Sequence, residues 1–207
     1  MYLDKPLQDY LDELASAQPT PGGGSAAALS GAMGAALASM VARLTLGKAK
    51  YADVESEIEA LLQQTEKLRA RFQQLMQEDI DAYSKLSASF KLPRSTPEEV
   101  DARGKAIQKQ LLEAALVPLE MVESAFQLVQ YCRRIAEIGN ATVLSDIATG
   151  ALLASSAGAG AAWMVRANLV AMKDLEMVNI LSDRMSVALD GIMEYSQQIT
   201  TIIGSRS

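Results

Sequence analysis

Apolar residues recur every three to four positions along most of the chain, which is the spacing of amphipathic helices. This spacing predicts helices over residues 3–17, 51–91, 96–138 and 174–203. No segment alternates apolar and polar residues as a half-buried strand does. The pattern therefore predicts an all-α protein, a single-domain bundle of long helices.

Two further helices are predicted in segments that carry no charge, residues 22–42 and 147–165, and we expect the second helix to continue to residue 172. Each uncharged segment is long enough to cross a bilayer. Alanine, glycine and serine dominate both segments, however, whereas membrane-spanning helices rely on Leu, Ile, Phe and Val. We therefore interpret both as buried helices of a soluble protein.

Small side chains recur four residues apart in both uncharged segments and form ridges that let another helix approach closely. We expect the two helices to cross each other along these ridges, or to cross their copies in a second subunit. Larger side chains on the opposite face of the first helix are expected to fill the core. The small ridges are Ala27, Gly31, Ala35, Ser39 and Gly150, Ala154, Gly158, Ala162, and the large ridge is Leu29, Met33, Leu37, Val41.

Capping residues mark several helix ends. A Thr-Pro-Glu-Glu segment predicts a helix start, with Thr96 as N-cap, proline in the first turn and Glu99 closing a capping box. Pro118 lies inside that helix, removes one backbone hydrogen bond and predicts a kink. Gly139 is expected to end the helix. Ser145 is expected to be the N-cap of the second uncharged helix.

Composition limits the chemistry and the partners. The 207 residues form one domain without a long linker, and their net charge of −6 disfavours a nucleic-acid or anionic-membrane partner. Cys132 is the one cysteine, and the first residues lack a signal-peptide pattern, so we expect a cytoplasmic protein without a disulfide framework. Histidine is absent, so proton transfer must depend on Asp, Glu, Lys, Tyr or the backbone.

A glycine-rich turn precedes the first uncharged helix. Two prolines that flank a threonine are followed by Gly22, Gly23, Gly24 and Ser25. Because glycine tolerates φ > 0, the turn can direct successive backbone N–H groups to one point, and the helix adds unpaired N–H groups and the positive end of its dipole. Such a site suits an anion or a polarised oxygen. The alternative is a tight helix entry without a ligand, since neither a Walker motif nor GxGxxG is present.

One carboxylate interrupts the apolar stripe of the helix predicted over residues 51–91. Asp79 stands where the helical period requires an apolar residue, so we expect it to be desolvated with a raised pKa, or held by a hydrogen-bond donor. Tyr83, one turn later, is placed to share a hydrogen bond with it. Asp81 points to the other side and is expected to be solvated. The alternative is a polar position near the helix end.

Six blocks of residues together resemble one known family. They are PTPGGGSAAA (19–28), MVARLTLGKAKY (40–51), EDIDAYSKLSASFKLPR (78–94), RGKAIQKQLLEAALVP (103–118), IGNATVLSD (138–146) and VRANLVAMKD (165–174). In this order, over residues 7–174, the chain is similar to the cyclodeaminase/cyclohydrolase family of folate enzymes. That family comprises the C-terminal domain of formimidoyltransferase-cyclodeaminase and stand-alone methenyltetrahydrofolate cyclohydrolases. The PGGGS block is the most specific of the six.

The resemblance implies an all-helical homodimer that binds folate in a cleft near the dimer interface, with no cofactor beyond the folate substrate and no metal. Two reactions at N5 and N10 of tetrahydrofolate are open. One is hydrolysis of 5,10-methenyltetrahydrofolate to 10-formyltetrahydrofolate, and the other is ring closure of 5-formiminotetrahydrofolate with loss of ammonia. The absence of a transferase domain favours the cyclohydrolase. A non-catalytic helical binding or scaffold dimer is the remaining alternative.

Candidate site residues follow from the residue types and from the resemblance. Asp79 matches the family's acidic residue and is our candidate for the catalytic proton carrier. Where the family usually has an apolar-Val-x-Ile-Asn run, this chain has Met164-Val165-Arg166-Ala167-Asn168, and Arg166 in that run bears on the shape of that wall. The candidate substrate-binding residues are Gly22, Gly23, Gly24 and Ser25 of the turn, Tyr83 beside the acid, Lys48, Lys50 and Arg94 for the glutamate tail, and Asn140 and Asp146 for the pterin ring, with Ser145 from the same block.

Overall fold

The computed structural model describes residues 2–206, and in that range it contains helices and no strands. The prediction of an all-α fold is confirmed. Its α-helices are α1 (Leu7–Leu14), α2 (Gly23–Arg43), α3 (Glu55–Ser89), α4 (Pro97–Ile138), α5 (Leu144–Leu169) and α6 (Leu175–Arg206). Short 3₁₀ helices lie at Tyr2–Asp4, Ala49–Val54 and Ala141–Val143.

The two uncharged helices, α2 and α5, pack against each other in the middle of the bundle. A Cβ added to Gly34 would lie 2.7 Å from the Gly150 carbonyl oxygen, and one added to Gly150 would lie 3.1 Å from the Gly34 carbonyl oxygen. The two backbones are therefore in direct contact, which glycine permits because it has no Cβ. The predicted close crossing of these two helices is confirmed.

The crossing uses only part of the two predicted small ridges, because Gly150 and Ala154 face Gly34 of α2 and Ala27 faces Gly160 of α5. Gly31 faces the Phe72 ring of α3, and Ser39 Oγ lies 2.8 Å from Thr65 Oγ1 of the same helix. Gly158 of α5 faces α4 and α6 instead of α2. The expectation that the two ridges meet along their whole length is wrong, because Gly31, Ser39 and Gly158 face side chains of other helices.

The large ridge of α2 does not fill the core. Val41 is buried, but Met33 is 45% exposed, and Met40 on the same open face is 36% exposed. α3 and α5 cover two sides of α2, and no described residue covers this third side. The outer face of α5 is equally open, with Leu152 and Trp163 at 66% and 65% exposure.

Two segments, Gly23–Arg43 and Ala141–Leu169, are long and apolar enough to cross a membrane by length and composition alone. About half of each apolar stretch is buried inside the bundle. This burial agrees with the interpretation of both segments as packed helices of the core.

Local hydrogen bonds decide the helix ends. The predicted capping box is confirmed, because Glu99 N–H donates to Thr96 Oγ1 and Thr96 N–H donates to Glu99 Oε2. α4 continues through the buried Pro118 without a break. Gly139 ends α4 with an ordinary φ of −77° and not in the left-handed region. Ser145 is not the N-cap, because α5 begins one residue earlier and no side chain caps it.

The other helix bounds differ from the predictions by a few residues. Pro6 separates the first predicted helix into a 3₁₀ turn and α1, and a 3₁₀ helix precedes α3, which begins at Glu55. α5 ends at Leu169. α6 continues past Gly204 because the Arg206 guanidinium donates to the Gly139 carbonyl oxygen at 2.8 Å, which holds the last turn against the end of α4.

Candidate active site

A pocket of about 280 Å³ opens where the N-terminus of α2 meets the second half of α3. One side of the pocket is backbone, and the others are mainly apolar side chains from α3, α4 and α5. Its lining residues are Pro19, Thr20, Gly22, Gly23, Gly24, Asp79, Ala82, Tyr83, Leu86, Ala114, Met164, Ala167 and Asn168. The pocket thus joins the glycine turn and Asp79, the two features that the sequence singled out.

The glycine turn presents unpaired backbone donors to this pocket. Gly22 is the N-cap of α2, and no side chain caps the helix. The N–H groups of Gly23 and Gly24 belong to the first helical turn, so no carbonyl of the helix accepts from them. The positive end of the helix dipole reinforces their attraction for a negative or polarised oxygen.

Close contact, and not backbone conformation, explains a glycine at position 24. None of the three glycines has a positive φ, so the turn does not use the left-handed conformations that glycine allows. A Cβ added to Gly24 would lie 2.1 Å from Asp79 Oδ1, whereas one added to Gly23 would meet Met164 Cε at an ordinary 3.5 Å. Gly24 is therefore the position at which the turn admits the carboxylate.

The carboxyl group of Asp79, a residue of α3, lies against the N-terminus of α2. Burial raises the pKa of its carboxyl group to about 6, and the Ser25 backbone N–H, which donates toward the carboxylate, lowers it in part. The expectation of a desolvated acid agrees with this geometry. Asp81, two residues on, is exposed and accepts a hydrogen bond from Gln77 Nε2 at 3.0 Å, as expected for the solvated side of α3.

Tyr83 lines the pocket one turn after Asp79 and is 44% exposed. Its hydroxyl forms no hydrogen bond with Asp79, so the shared hydrogen bond expected from the sequence is not present. The ring stands at the pocket's solvent side, where it can stack on a planar ligand.

Asn168 lines the pocket, although the sequence named it only as part of a wall segment and not as a candidate site residue. Its Nδ2 donates to the Ala114 carbonyl at 3.0 Å and to the Met164 carbonyl at 2.9 Å, which uses both amide hydrogens. Oδ1 is therefore the Asn168 atom left to accept from a ligand in the pocket. The sequence shows that Asn168 lies one helical turn after Met164, on the same face of α5. It does not show that this face lines the pocket, because that depends on how α5 packs against its neighbours.

Arg166 does not shape the pocket wall. Its guanidinium lies over the Trp163 ring, 5.0 Å from the ring centroid, on the exposed face of α5. Met164, Ala167 and Asn168 form the wall on the other side. Arg166 therefore leaves the pocket's lining unaltered, whereas Ala167, which stands where the family pattern has isoleucine, is part of that lining.

The Gly-Asn…Ser-Asp block lies at the opposite end of α2. Asn140 is buried, where its N–H donates to Thr45 Oγ1 at 2.9 Å and its Nδ2 donates to the Leu44 carbonyl at 3.0 Å. Ser145 and Asp146 are in the first turn of α5. A helix the length of α2 spans about 30 Å, so within one chain these residues are far from the glycine turn.

The three cations expected at the glutamate tail are also spread out. Lys48 and Lys50 follow the C-terminus of α2, and Lys50 Nζ lies 5.6 Å from the centroid of the Tyr51 ring. Arg94 is exposed in the connection from α3 to α4, which begins one turn after the pocket residue Leu86. Of the three, Arg94 is nearest to the pocket along the chain.

The fold and the pocket define a helical protein that holds a desolvated carboxyl group beside free helix N–H groups, an arrangement suited to proton transfer on a small polar ligand. The family model for formiminotransferase-cyclodeaminase matches residues 6–187. The chain belongs to this family.

Individual relatives support the same assignment. A methenyltetrahydrofolate cyclohydrolase from Methylorubrum extorquens is 40% identical over 168 residues, which cover 81% of each chain. The formimidoyltransferase-cyclodeaminase of Rattus norvegicus is 34% identical over 98% of this chain, which corresponds to 37% of the rat protein. The crystal structure of a formiminotetrahydrofolate cyclodeaminase from Thermotoga maritima superposes with a TM-score of 0.90, at 27% identity and over 99% of this chain and 98% of that one. All three relatives are named as enzymes.

Proposed function

We propose that the protein is a methenyltetrahydrofolate cyclohydrolase, which adds water to 5,10-methenyltetrahydrofolate and releases 10-formyltetrahydrofolate. The observation that carries this proposal is the pairing of a desolvated Asp79 with the free N–H groups of Gly23 and Gly24 across one pocket. The 40% identity to a cyclohydrolase over most of both chains supports this reaction over others of the family.

Asp79 moves the proton in this reaction. Above its pKa of about 6 it is a carboxylate, which attracts the cationic methenyl group and takes one proton from the attacking water. The water oxygen bonds to the bridging carbon, and the protonated Asp79 then delivers its proton to N5. The bond from carbon to N5 breaks with its electron pair on N5, and the remaining hydroxyl proton leaves as the formyl carbonyl forms. The reaction consumes one water and releases one proton.

The turn and Asn168 stabilise the reacting centre. The N–H groups of Gly23 and Gly24 point toward the oxygen that carries negative charge as the formyl group develops. Asn168 Oδ1 accepts a hydrogen bond from the attacking water or from a ring N–H of the substrate. Ser25 supports the site through its backbone N–H on the carboxylate.

The pocket accommodates the reacting rings and not the whole folate. At about 280 Å³, it is just below the usual volume of small-molecule sites, roughly 300–1,000 Å³. Ala82, Leu86 and Met164 supply apolar contact for planar rings, and Tyr83 covers them at the entrance. The tail then extends into solvent on the side of Arg94, which we propose as a contact for its glutamate carboxylate.

We further propose that the open faces of α2 and α5 pair with a second copy of the chain. Met33 and Met40 on α2 and Leu152 and Trp163 on α5 are exposed apolar side chains on two adjacent helices. A two-fold axis perpendicular to α2 would bring the opposite end of the partner's helix beside each pocket. In such a homodimer Lys48, Lys50, Ser145 and Asp146 act on the substrate of the other subunit. Asn140, whose buried side chain bonds Leu44 and Thr142, holds the segment between α4 and α5 in place for them.

The cellular setting proposed here is the cytoplasm, with folate as the sole cofactor-like molecule and with neither nucleic acid nor membrane as partner. The net charge of −6 supports the last point, because it repels anionic polymers and lipid surfaces.

A formimidoyltetrahydrofolate cyclodeaminase is the second candidate function. The TM-score of 0.90 to a cyclodeaminase of matching length favours it. The same pocket serves this reaction if Asp79 takes the N10 proton as N10 attacks the formimino carbon and returns a proton to the departing ammonia. A non-catalytic folate binder would use the pocket without either proton transfer.

Assays of both substrates with one protein preparation distinguish these functions. We expect the protein to accelerate the loss of the methenyltetrahydrofolate chromophore as water is added. Formation of that chromophore from 5-formiminotetrahydrofolate, without accelerated loss, would assign the cyclodeaminase instead. Folate binding with neither activity would contradict both enzyme proposals.

A further inference from the structure

Tyr10 is the one fully buried side chain within α1, at 2% exposure. Of the other apolar residues of α1, Leu7 and Leu11 are 62% and 50% exposed, and only Leu14 is partly buried against the core. The Tyr10 hydroxyl reaches the glycine turn, where its oxygen lies 3.2 Å from Ser25 Oγ. A helix with little packing of its own thus contacts the candidate active site through one buried hydroxyl group.

The direction of this hydrogen bond follows from the next one. Ser25 Oγ lies 2.8 Å from the Gly22 carbonyl oxygen, to which it must donate because a carbonyl can only accept. A hydroxyl has one proton, so Ser25 Oγ has no proton left for Tyr10. Tyr10 is therefore the donor, and the chain of hydrogen bonds runs from Tyr10 through Ser25 to Gly22.

This chain fixes the peptide plane at the start of α2. The Gly22 carbonyl oxygen accepts from Ser25 Oγ and, at 3.0 Å, from the Ala26 N–H, so both of its lone pairs are engaged. In a trans peptide the C=O and the following N–H point in opposite directions. With the Gly22 carbonyl held toward the helix, the Gly23 N–H is held toward the pocket. Ser25 also directs its own N–H to the Asp79 carboxylate.

We propose that Tyr10 is a positioning residue for the reaction, whose hydroxyl orders the Ser25 side chain and through it the amide donors that face the substrate. A phenylalanine would fill the same volume and pack equally well against the Tyr2 ring, which lies 5.4 Å away in an edge-to-face arrangement. Packing alone thus leaves the buried hydroxyl unexplained, whereas the site uses it.

The same chain bears on Asp79. Polar groups from four helices surround this carboxylate. They are the Tyr10 hydroxyl of α1, the Ser25 N–H of α2, the Tyr83 hydroxyl of α3 and the Asn168 amide of α5. The fifth helix, α4, contributes only the apolar Ala114. The Ser25 N–H lowers the Asp79 pKa. Without the Tyr10 hydroxyl, the Ser25 N–H is less well oriented toward the Asp79 carboxylate. The pKa of Asp79 therefore rises when the Tyr10 hydroxyl is removed.

The role in catalysis rests on the proposed function, and Tyr10→Phe tests it. We expect kcat for methenyltetrahydrofolate hydrolysis to fall about tenfold, since misaligned donors act mainly in the transition state, with KM within about twofold of its normal value. The acid limb of the pH profile should move to higher pH. In the ligand-free protein, the Asp79 carboxyl titration followed by NMR should move in the same direction.

Tyr2→Phe is the matched control, because it removes a tyrosine hydroxyl that bonds Glu13 and not the turn. Ser25→Ala cuts the same chain from the other side, and it provides the test should Tyr10→Phe fail to fold. The double variant should lose no more kcat than either single variant. A folded Tyr10→Phe protein with unchanged kcat and an unchanged Asp79 titration overturns the proposal, as does an equal loss in Tyr2→Phe.

The NMR titration separates this proposal from the function itself. If the unmodified protein fails to hydrolyse methenyltetrahydrofolate, the proposed function fails. A Tyr10-dependent Asp79 titration then still supports the positioning role, and a Tyr10-independent one overturns it.

Discussion

The Asp79 carboxyl group lies at the N-terminal end of α2, where burial and a helix terminus act on it in opposite directions. Burial raises its pKa, the Ser25 N–H lowers it, and burial dominates because the resulting pKa is about 6. A carboxyl group poised near neutrality exchanges protons efficiently at working pH. The same burial makes the charged form costly to the fold, so this residue should trade stability for chemistry.

Asp79→Asn should therefore stabilise the protein at neutral pH. The folded-state pKa is raised from 3.8 to about 6, so folding favours the protonated form. The stability that this group contributes is complete below pH 3.8 and is lost as the pH rises through about 6. At pH 7.5 we expect the variant to gain about 1–3 kcal/mol in unfolding free energy, from the size of the shift. Urea unfolding from pH 4 to 8 measures it, and an equal gain at pH 4 would contradict the burial argument.

Gly24→Ala should displace the carboxylate. The new Cβ would lie 2.1 Å from Asp79 Oδ1, so the acid or the turn must move. A shift of this kind costs about 100-fold in kcat. Gly104→Ala in α4 is the control, since a Cβ there meets nothing within 4 Å. Steady-state kinetics with both variants make the comparison, and unimpaired turnover in Gly24→Ala would show that the close approach has no catalytic role.

At the scale of elements, the sequence predicted the helices, because their hydrophobic pattern repeats along the chain. It did not predict which helices pack against each other. The periodicity of apolar residues predicted the long helices. The interruption of the apolar stripe of α3 indicated Asp79 without knowledge of the helices that pack against α3. The assignment of Gly31 to the contact with α5 was wrong. Helical periodicity shows that small residues share one face of α2, but it does not show which helix packs on that face. Asn168 and Tyr10 were not predicted as site residues for the same reason, since each acts through a residue distant in sequence.

The α2–α5 contact should tolerate no side chain at its centre. Gly34→Ala would place a Cβ 2.7 Å from the Gly150 carbonyl oxygen, and forced separation of the helices should cost about 1–3 kcal/mol of unfolding free energy. Gly160→Ala in α5 meets Ala27 Cβ at an ordinary 3.4 Å, and it should be neutral or gain up to about 1 kcal/mol from helix propensity. Thermal or urea unfolding of the pair checks the difference, and equal stabilities would refute the backbone contact.

For the whole molecule, the open faces of α2 and α5 are the main feature that one chain leaves unexplained. Exposed apolar side chains in this number on two central helices are unusual for a monomer, and a second copy would cover them. The candidate residues Asn140, Ser145 and Asp146 lie far from the pocket within one chain, which a two-fold pairing of antiparallel helices would remedy. The proposed dimer thus joins an exposed surface to a divided site.

Leu152→Glu should disrupt such a dimer. Leu152 is 66% exposed on α5, and a charge there would be buried without a partner at the interface. Val187→Glu on α6 is the control, because Val187 is 67% exposed beside α4, away from the α5 surface. Light scattering coupled to gel filtration should give a monomer for the first variant and a dimer for the second. A monomeric unmodified protein would contradict the proposed pairing.

The pH dependence of kcat/KM for methenyltetrahydrofolate hydrolysis tests most directly whether a buried Asp79 transfers the proton. Protonation removes the base, so kcat/KM should fall tenfold per pH unit below about pH 6. Asp79→Asn should lose at least about 100-fold at neutral pH, whereas Asp81→Asn, which changes a solvated acid on the same turn of α3, should keep the normal profile. A profile that stays flat through pH 6, or a folded Asp79→Asn protein with normal turnover, would contradict this role of Asp79.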